Sequence, residues 1–391
     1  MKKRFLTLIL LAAFALTPAA ALRTAALEVQ PATQADFDVP CQAAILIDQD
    51  SGTVLYEKNA DEQRPIASIT KVMTLLLTFR ALEEGRVTLD DLVPVSEHAY
   101  GMGGSQIWLE PGEEMTLNEM LKAICISSAN DAAVAVAEYI GGSEAAFVEQ
   151  MNTEAARLGM ASTQFRNACG LDEAGHLSTA RDVATMSREM LLNHTEISDY
   201  CTVWMDYLRD GSTQLVNTNK LLNSYDGITG LKTGTTGGAG VCISASAERN
   251  GLRLIAVVLG APSSKDRFDA ARTLLDYGFA NYENAEAALP EDTPQTLAVT
   301  RGAQENVSLV YDAPGRYLMK KGDDTALEVR LDLPESLQAP VTAGQQVGSV
   351  SILRAGETLE TYPVTAGEDV AELDFGLCFA RLVEALLFNA A

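Results

Sequence analysis

The sequence is poor in imidazole, in positive charge and in clustered cysteines, and each shortage removes a class of function. Its three histidines, His98, His176 and His194, stand at no ligand spacing from a cysteine, so no structural or catalytic zinc site, no other metal and no cofactor is expected. No Gly-x-Ser-x-Gly elbow occurs, and a Ser-His-Asp hydrolase would have to draw its base from those same residues. All three are read as surface or structural groups, with His176 the one expected nearest a site. Lys and Arg number 29 against 53 Asp and Glu, a formal charge of -24. With no basic stripe in the body of the chain, binding to nucleic acid is excluded. Six cysteines in 391 residues, with no Cys-x-x-Cys, fall short of a disulfide scaffold. They are expected to be small buried apolar residues.

What is present begins with an export signal over residues 1–26. Lys2, Lys3 and Arg4 form a positive lead, Phe5 to Leu16 an apolar run, and Ala19-Ala20-Ala21 a small-residue cleavage site, with a second option ending at Ala26. A dozen apolar residues are few for a bilayer span, so the protein is expected to be secreted and to work outside the cytoplasm. A first domain is expected over 40–282. Ala44-Ile45-Leu46-Ile47 and Thr53-Val54-Leu55-Tyr56 flank a turn-forming Asp48-Gln49-Asp50-Ser51-Gly52 and predict a hairpin. From about Ser68 to Glu196 apolar residues recur at helical spacing, as in Val72, Leu75, Leu76 and Phe79. Asn250-Gly251 then separates two apolar runs, a type I′ hairpin signal, and a helix is predicted from about Ser264 to Tyr277. Strands at both ends with helices between predict an α/β (α+β) domain, an antiparallel sheet carrying a helical insert. Short β-branched runs between turn residues predict a small all-β domain over 290–370. Phe375, Cys378, Phe379, Leu382, Val383 and Leu386 predict an amphipathic helix within 371–391.

Three motifs carry chemistry. Ser68-Ile69-Thr70-Lys71 places a hydroxyl and an amine one turn apart on one face if Ser68 opens a helix, and a helix N-terminus offers N–H groups to an oxyanion. Ser128-Ala129-Asn130 follows, and then Lys232-Thr233-Gly234 with Thr235. Gly234, on a strand edge, lets a substrate backbone come close and pair. Ser-x-x-Lys alone is a chance-level pattern; the ordered set is the signature of penicillin-binding proteins and class A β-lactamases.

On these motifs, and on Asp48 to Gly52, Asn130-Asp131-Ala132, Gly170-Leu171-Asp172 and Gly230-Leu231 ahead of Lys232, the chain resembles the low-molecular-mass penicillin-binding proteins, serine-type D-Ala-D-Ala carboxypeptidases. The resemblance runs from about Ala43 to Tyr282 and extends to the layout of signal, catalytic domain, β domain and C-terminal helix. It implies a DD-peptidase/β-lactamase-like fold, a peptidoglycan stem peptide as substrate and β-lactam antibiotics as inhibitors. It further implies Ser68 as nucleophile, Lys71 as base kept neutral by burial and by the charge of Lys232, and Ser128 as proton donor to the leaving D-alanine. Asn130 would hold the substrate amide, and Lys232, Thr233, Gly234 and Thr235 would hold the terminal carboxylate and strand. The C-terminal helix would touch the outer face of the cytoplasmic membrane, although its polar face lacks the expected Lys and Arg. Two positions depart from the family: Ala129 where many members have Gly, and Thr235 where His is frequent. Three alternatives stay open, namely an endopeptidase, a β-lactamase and a non-catalytic wall-assembly module. Glu189-Met190-Leu191-Leu192-Asn193 matches the Glu-x-x-Leu-Asn pattern of a β-lactamase deacylating base, but lies in a helical run far beyond Ser128 and is read as coincidence.

Overall fold

A computed structural model describes residues 36–388 apart from 313–314 and 324, so the expected export signal lies outside the described residues. Near the start, β1 (Ala43–Asp48) and β2 (Val54–Lys58) pair antiparallel. The turn between them is closed by the Asp48 carboxylate, which accepts from the Ser51 backbone N–H and hydroxyl, each at 2.7 Å. Late in the domain follow β3 (Ile228–Thr236), β4 (Gly240–Arg249) and β5 (Leu252–Ala261). Together they form one antiparallel sheet in the order β2-β1-β5-β4-β3, so both ends of the domain meet at the β1–β5 pair. The Asn250-Gly251 turn has φ of 50° and 78°, the left-handed pair that a type I′ hairpin requires.

Every residue of β1 is buried, because helices cover both faces of the sheet. Alternation sends Ala43, Ile45 and Ile47 into one core and Ala44 and Leu46 into the other. The first core packs against α1 (Lys71–Glu83), α2 (Asn130–Gly141) and α3 (Ala180–Asn193). The second packs against α4 (Ser264–Asn281), capped by the Ser263 hydroxyl and four residues longer than predicted. On α1 the predicted stripe Val72, Leu75, Leu76 and Phe79 is buried, each side chain contributing roughly 1.5–3 kcal/mol relative to exposure. Within the insert, Leu92–Pro94 pairs with Glu114–Thr116. A further hairpin, Met205–Leu208 with Thr213–Val216, has no counterpart among the elements expected from sequence.

From Tyr282 onward the chain builds sheets around a separate core that includes Val307, Val350, Ile352 and Val364. The apolar helix Phe375–Phe388 follows, with Phe375 and Phe379 exposed and stacked. Among the described residues no helix is long and apolar enough to cross a membrane. All six cysteines are free thiols; five are buried as expected, and Cys378 is exposed.

Candidate active site

Ser68 sits in a 3-10 turn, Ala67–Thr70, that runs straight into α1, so an α-helix N-terminus is not what holds it. In 3-10 geometry residues i and i+3 eclipse, which serves the Ser68 and Lys71 pair better than an α turn would. Ala67 enters the turn at φ 49°, a left-handed conformation unusual for a residue with a Cβ. Ser68 is half-buried, while the Lys71 side chain is fully enclosed.

The Lys71 Nζ lies 3.0 Å from Ser68 Oγ and 2.6 Å from both Asn130 Oδ1 and the Cys169 carbonyl oxygen. Burial lowers its pKa to about 8. Burial is the leading cause, and Cys169 and Asp131 act in the opposite direction. A neutral amine has two hydrogens and one lone pair. The two short contacts accept the hydrogens, which leaves the lone pair for the Ser68 hydroxyl. Asn130 is held in the matching orientation, because its Nδ2 donates to Gly103 O at 2.7 Å and so turns Oδ1 toward Lys71, while its backbone N–H donates to Ser105 O. The neighbouring Asp131 carboxylate accepts from the Ile107 and Leu109 backbone N–H groups and ties the same loop to α2.

Ser128 closes a π-helical turn, Ala123–Ser127, in a left-handed conformation at φ 63°. Such π turns and left-handed residues are concentrated at functional sites. Its Oγ accepts from Lys232 Nζ at 2.8 Å, and the same ammonium donates to Thr233 O at 3.0 Å. Burial, then the charges of Lys71 and Arg267, push Lys232 well below the ordinary lysine pKa. An anion entering here would push it back up.

Lys232 to Thr235 lie on β3, an edge strand with one side unpaired. A Cβ at Gly234 would stand 2.8 Å from the Ser68 backbone nitrogen, so only glycine lets this edge pass so close to the nucleophile. Thr233 Oγ1 donates to Thr218 Oγ1 at 2.6 Å, and Thr235 is exposed at the strand's open end. Facing them, Gly170 at φ 86° presses its backbone onto the 3-10 turn, where a Cβ would collide with Ala67 O. The three motifs thus meet: Lys71 touches Ser68 and Asn130, Lys232 touches Ser128, and Gly234 passes close to Ser68.

Three contributors stand outside the three motifs that carry the chemistry. The Cys169 carbonyl acts through backbone and leaves no side-chain signal. Arg267, buried on α4, reaches under β3 with Nη1 donating to Cys242 O at 3.1 Å and Gly234 O at 3.3 Å. Asp172 accepts from Thr236 Oγ1 at 2.6 Å and Gly238 N–H at 2.9 Å, joining its loop to the end of β3; its place in Gly170-Leu171-Asp172 was the available signal. Glu189 has a structural post: it binds Arg157 at 2.6 Å and Arg80 at 3.5 Å, beside a buried Glu154 held by the same two arginines. His98 is an exposed partner of Glu144, and His194 is buried near Glu83.

Comparison with known proteins adds what geometry cannot. The family model described as D-alanyl-D-alanine carboxypeptidase matches residues 28–263, and that of the penicillin-binding protein 5 C-terminal domain matches 282–372. The chain is 43% identical over 338 residues to D-alanyl-D-alanine carboxypeptidase DacF of Bacillus subtilis, covering 85% of this chain and 87% of that one. Penicillin-binding protein 5 from Haemophilus influenzae superposes with a TM-score of 0.71 at 30% identity, over 86% of this chain and 99% of that one. Penicillin-binding protein D2 from Listeria monocytogenes, in a cefotaxime-bound form, superposes at 0.59 and 32% identity, over 63% of this chain and all of that one. The three ordered motifs, the sheet with its helical insert and the added β domain therefore have one common explanation: this chain belongs to the D-alanyl-D-alanine carboxypeptidase family of low-molecular-mass penicillin-binding proteins.

Proposed function

We propose that the protein is a serine-type D-alanyl-D-alanine carboxypeptidase that removes the terminal D-alanine from peptidoglycan stem pentapeptides through an acyl-enzyme on Ser68. The observation that carries this reading is the enclosed Lys71 amine, whose short acceptors are Asn130 Oδ1 and Cys169 O and whose third neighbour is the Ser68 hydroxyl. Lys71 takes the hydroxyl proton as Ser68 Oγ attacks the penultimate D-alanine carbonyl. The oxyanion is received by the backbone N–H groups of Ser68 and Thr235, across the gap that Gly234 keeps narrow. Ser128 relays the proton that Lys71 took to the departing D-alanine nitrogen and so keeps its own hydroxyl, with Lys232 at 2.8 Å holding that hydroxyl. Lys232, Thr233 and Thr235 receive the terminal carboxylate, and Asn130 Nδ2 turns its remaining hydrogen to the substrate carbonyl. Water then hydrolyses the ester. A β-lactam, which keeps its leaving nitrogen tethered, stays on Ser68 longer.

The working division is an export signal over 1–26, a catalytic domain over 40–282, a β domain over 290–370 and a C-terminal helix over 371–391. The protein acts outside the cytoplasm, and the exposed Phe375 and Phe379 support contact of that helix with the membrane surface. The test is D-alanine release from a peptide ending Lys-D-Ala-D-Ala, compared between wild type and Ser68→Ala. Release by wild type alone is expected. A wild type that labels with fluorescent penicillin yet frees no D-alanine would sink the carboxypeptidase reading.

A further inference from the structure

One buried titratable side chain beside the site takes no part in these steps. His176, 3% exposed, lies next to the nucleophile turn with its Nε2 at 2.7 Å from Thr70 Oγ1. Its other nitrogen, Nδ1, lies 3.2 Å from the Arg166 backbone nitrogen. A backbone N–H can only donate, so Nδ1 must be an acceptor and the ring proton sits on Nε2. Nε2–H then donates to the Thr70 hydroxyl oxygen. The tautomer is fixed by the loop's own backbone.

Thr70 immediately precedes Lys71, and the loop that His176 closes carries the Cys169 carbonyl. Its two ends are joined by Gln164 and Leu177, whose backbones exchange hydrogen bonds of 2.8 and 3.1 Å. Three contacts fasten it to the start of α1: Ala168 O accepts from Thr74 Oγ1 at 2.6 Å, Cys169 O accepts from Lys71 Nζ, and His176 donates to Thr70. Phe165 packs edge-on against the imidazole. The first two contacts involve the loop's early part; His176 is the brace at its far end.

We infer that His176, in its neutral Nε2–H form, is a positioning residue that holds the Cys169–Gly170 backbone against Thr70 and Lys71 and so keeps the Lys71 amine enclosed. The inference rests on the reading of Lys71 as the base for Ser68. Protonation would place a second N–H against the Arg166 N–H, opening the brace. Burial opposes this: it lowers the pKa to about 4, with Arg166 acting the same way and Glu173 and Asp172 acting against it. The brace therefore stays closed over the whole range in which Lys71 titrates.

The test is the pH profile of Ser68 acylation by fluorescent penicillin in wild type, His176→Leu, His176→Gln and Thr70→Val, with thermal melting of each. Loss of the brace admits water to Lys71 and raises its pKa. In His176→Leu the acid limb should move up by about one pH unit, cutting the rate at pH 7 about tenfold, since each unit changes the neutral fraction tenfold. Thr70→Val should do the same, which covers the case of a His176→Leu protein that does not fold. His176→Gln, which keeps a donor for Thr70, should return the limb toward wild type. An unmoved limb in His176→Leu and Thr70→Val, with only the melting temperature lowered, overturns the inference and leaves the proposed function standing. A wild type that penicillin never acylates overturns the proposed function and takes this inference with it.

Discussion

If burial tunes Lys71, acylation of Ser68 must follow pH with an acid limb near 8. Enclosure by the Cys169 loop and Asn130 brings the amine from the ordinary 10.5 to about 8. At pH 7 an amine of that pKa is neutral in about one molecule in ten, against roughly one in 3,000 for an ordinary lysine. Desolvation thus raises the reactive fraction by a factor on the order of a hundred or more, a differential of roughly 3 kcal/mol. The same desolvation costs stability. Between pH 8 and 10.5 the native form binds fewer protons at Lys71 than the unfolded chain, so stability rises with pH across that window, and below it the full penalty, on the order of 3 kcal/mol, applies. The assay is the second-order rate of acylation by a chromogenic cephalosporin. It should climb about fivefold from pH 7 to 8 and level off by about 9, following the neutral fraction. Lys71→Arg, which cannot lose its proton, should be slower by at least about a hundredfold across the profile. A rate independent of pH between 6 and 9, or a limb above 10, would refute the claim that burial supplies the base.

Other residues give equally direct expectations. Gly234→Ala should cut acylation by more than about a hundredfold, because the new Cβ would stand 2.8 Å from the Ser68 nitrogen and widen the oxyanion gap; near-normal acylation would contradict that geometry. Lys232→Ala should raise KM for a D-Ala-D-Ala peptide by roughly 30- to 150-fold, the worth of a buried charge-assisted hydrogen bond of about 2–3 kcal/mol. Wild type should discriminate by a similar factor against the peptide amide, and equal handling of acid and amide would remove Lys232 as the carboxylate partner. Glu189→Gln should leave hydrolysis of the penicilloyl-enzyme unchanged and lower stability by only about 1 kcal/mol, since its arginine partners are partly exposed. A marked slowing of that hydrolysis would revive the β-lactamase alternative. Glu154→Gln should cost more, about 2–3 kcal/mol by chemical denaturation, because it strands two arginine contacts beside a carboxylate that is only 5% exposed.

Much of this protein was legible in residue spacing. The β1–β2 and β4–β5 hairpins follow from turn chemistry at Asp48 to Gly52 and at Asn250-Gly251, and the α1 stripe follows from its period. The site was legible where it speaks through side chains at short range, as in Ser68 with Lys71. What stayed hidden has physical reasons. The strand edge at β3 was legible only through its Lys-Thr-Gly motif, because Gly230, Lys232, Thr233, Gly234 and Thr235 form a polar run in which Leu231 is the one buried apolar side chain, too few for a period. The Met205–Val216 hairpin buries only Leu208 and Leu215, too few positions for a period, although Asp210-Gly211 marks its turn. Lys71's second short acceptor is a backbone carbonyl at Cys169, which any residue could supply. Arg267 joins β3 from 33 residues beyond Gly234, a distance at which single-sequence spacing is silent. The balance behind the low Lys71 pKa was also out of reach: desolvation is its leading cause, and the repulsion between the Lys71 and Lys232 amines, which acts on both, needs a fold that brings positions 71 and 232 together.

The measurement that bears most directly on the central claim is mass spectrometry of the protein after brief exposure to benzylpenicillin, with the adduct mapped by peptide digestion. One intact penicilloyl group should appear on the peptide containing Ser68 in wild type, should be absent in Ser68→Ala, and should form very slowly in Lys71→Arg. An adduct on another residue, or equally rapid labelling of Lys71→Arg, would contradict the assignment of Ser68 as nucleophile and Lys71 as its base.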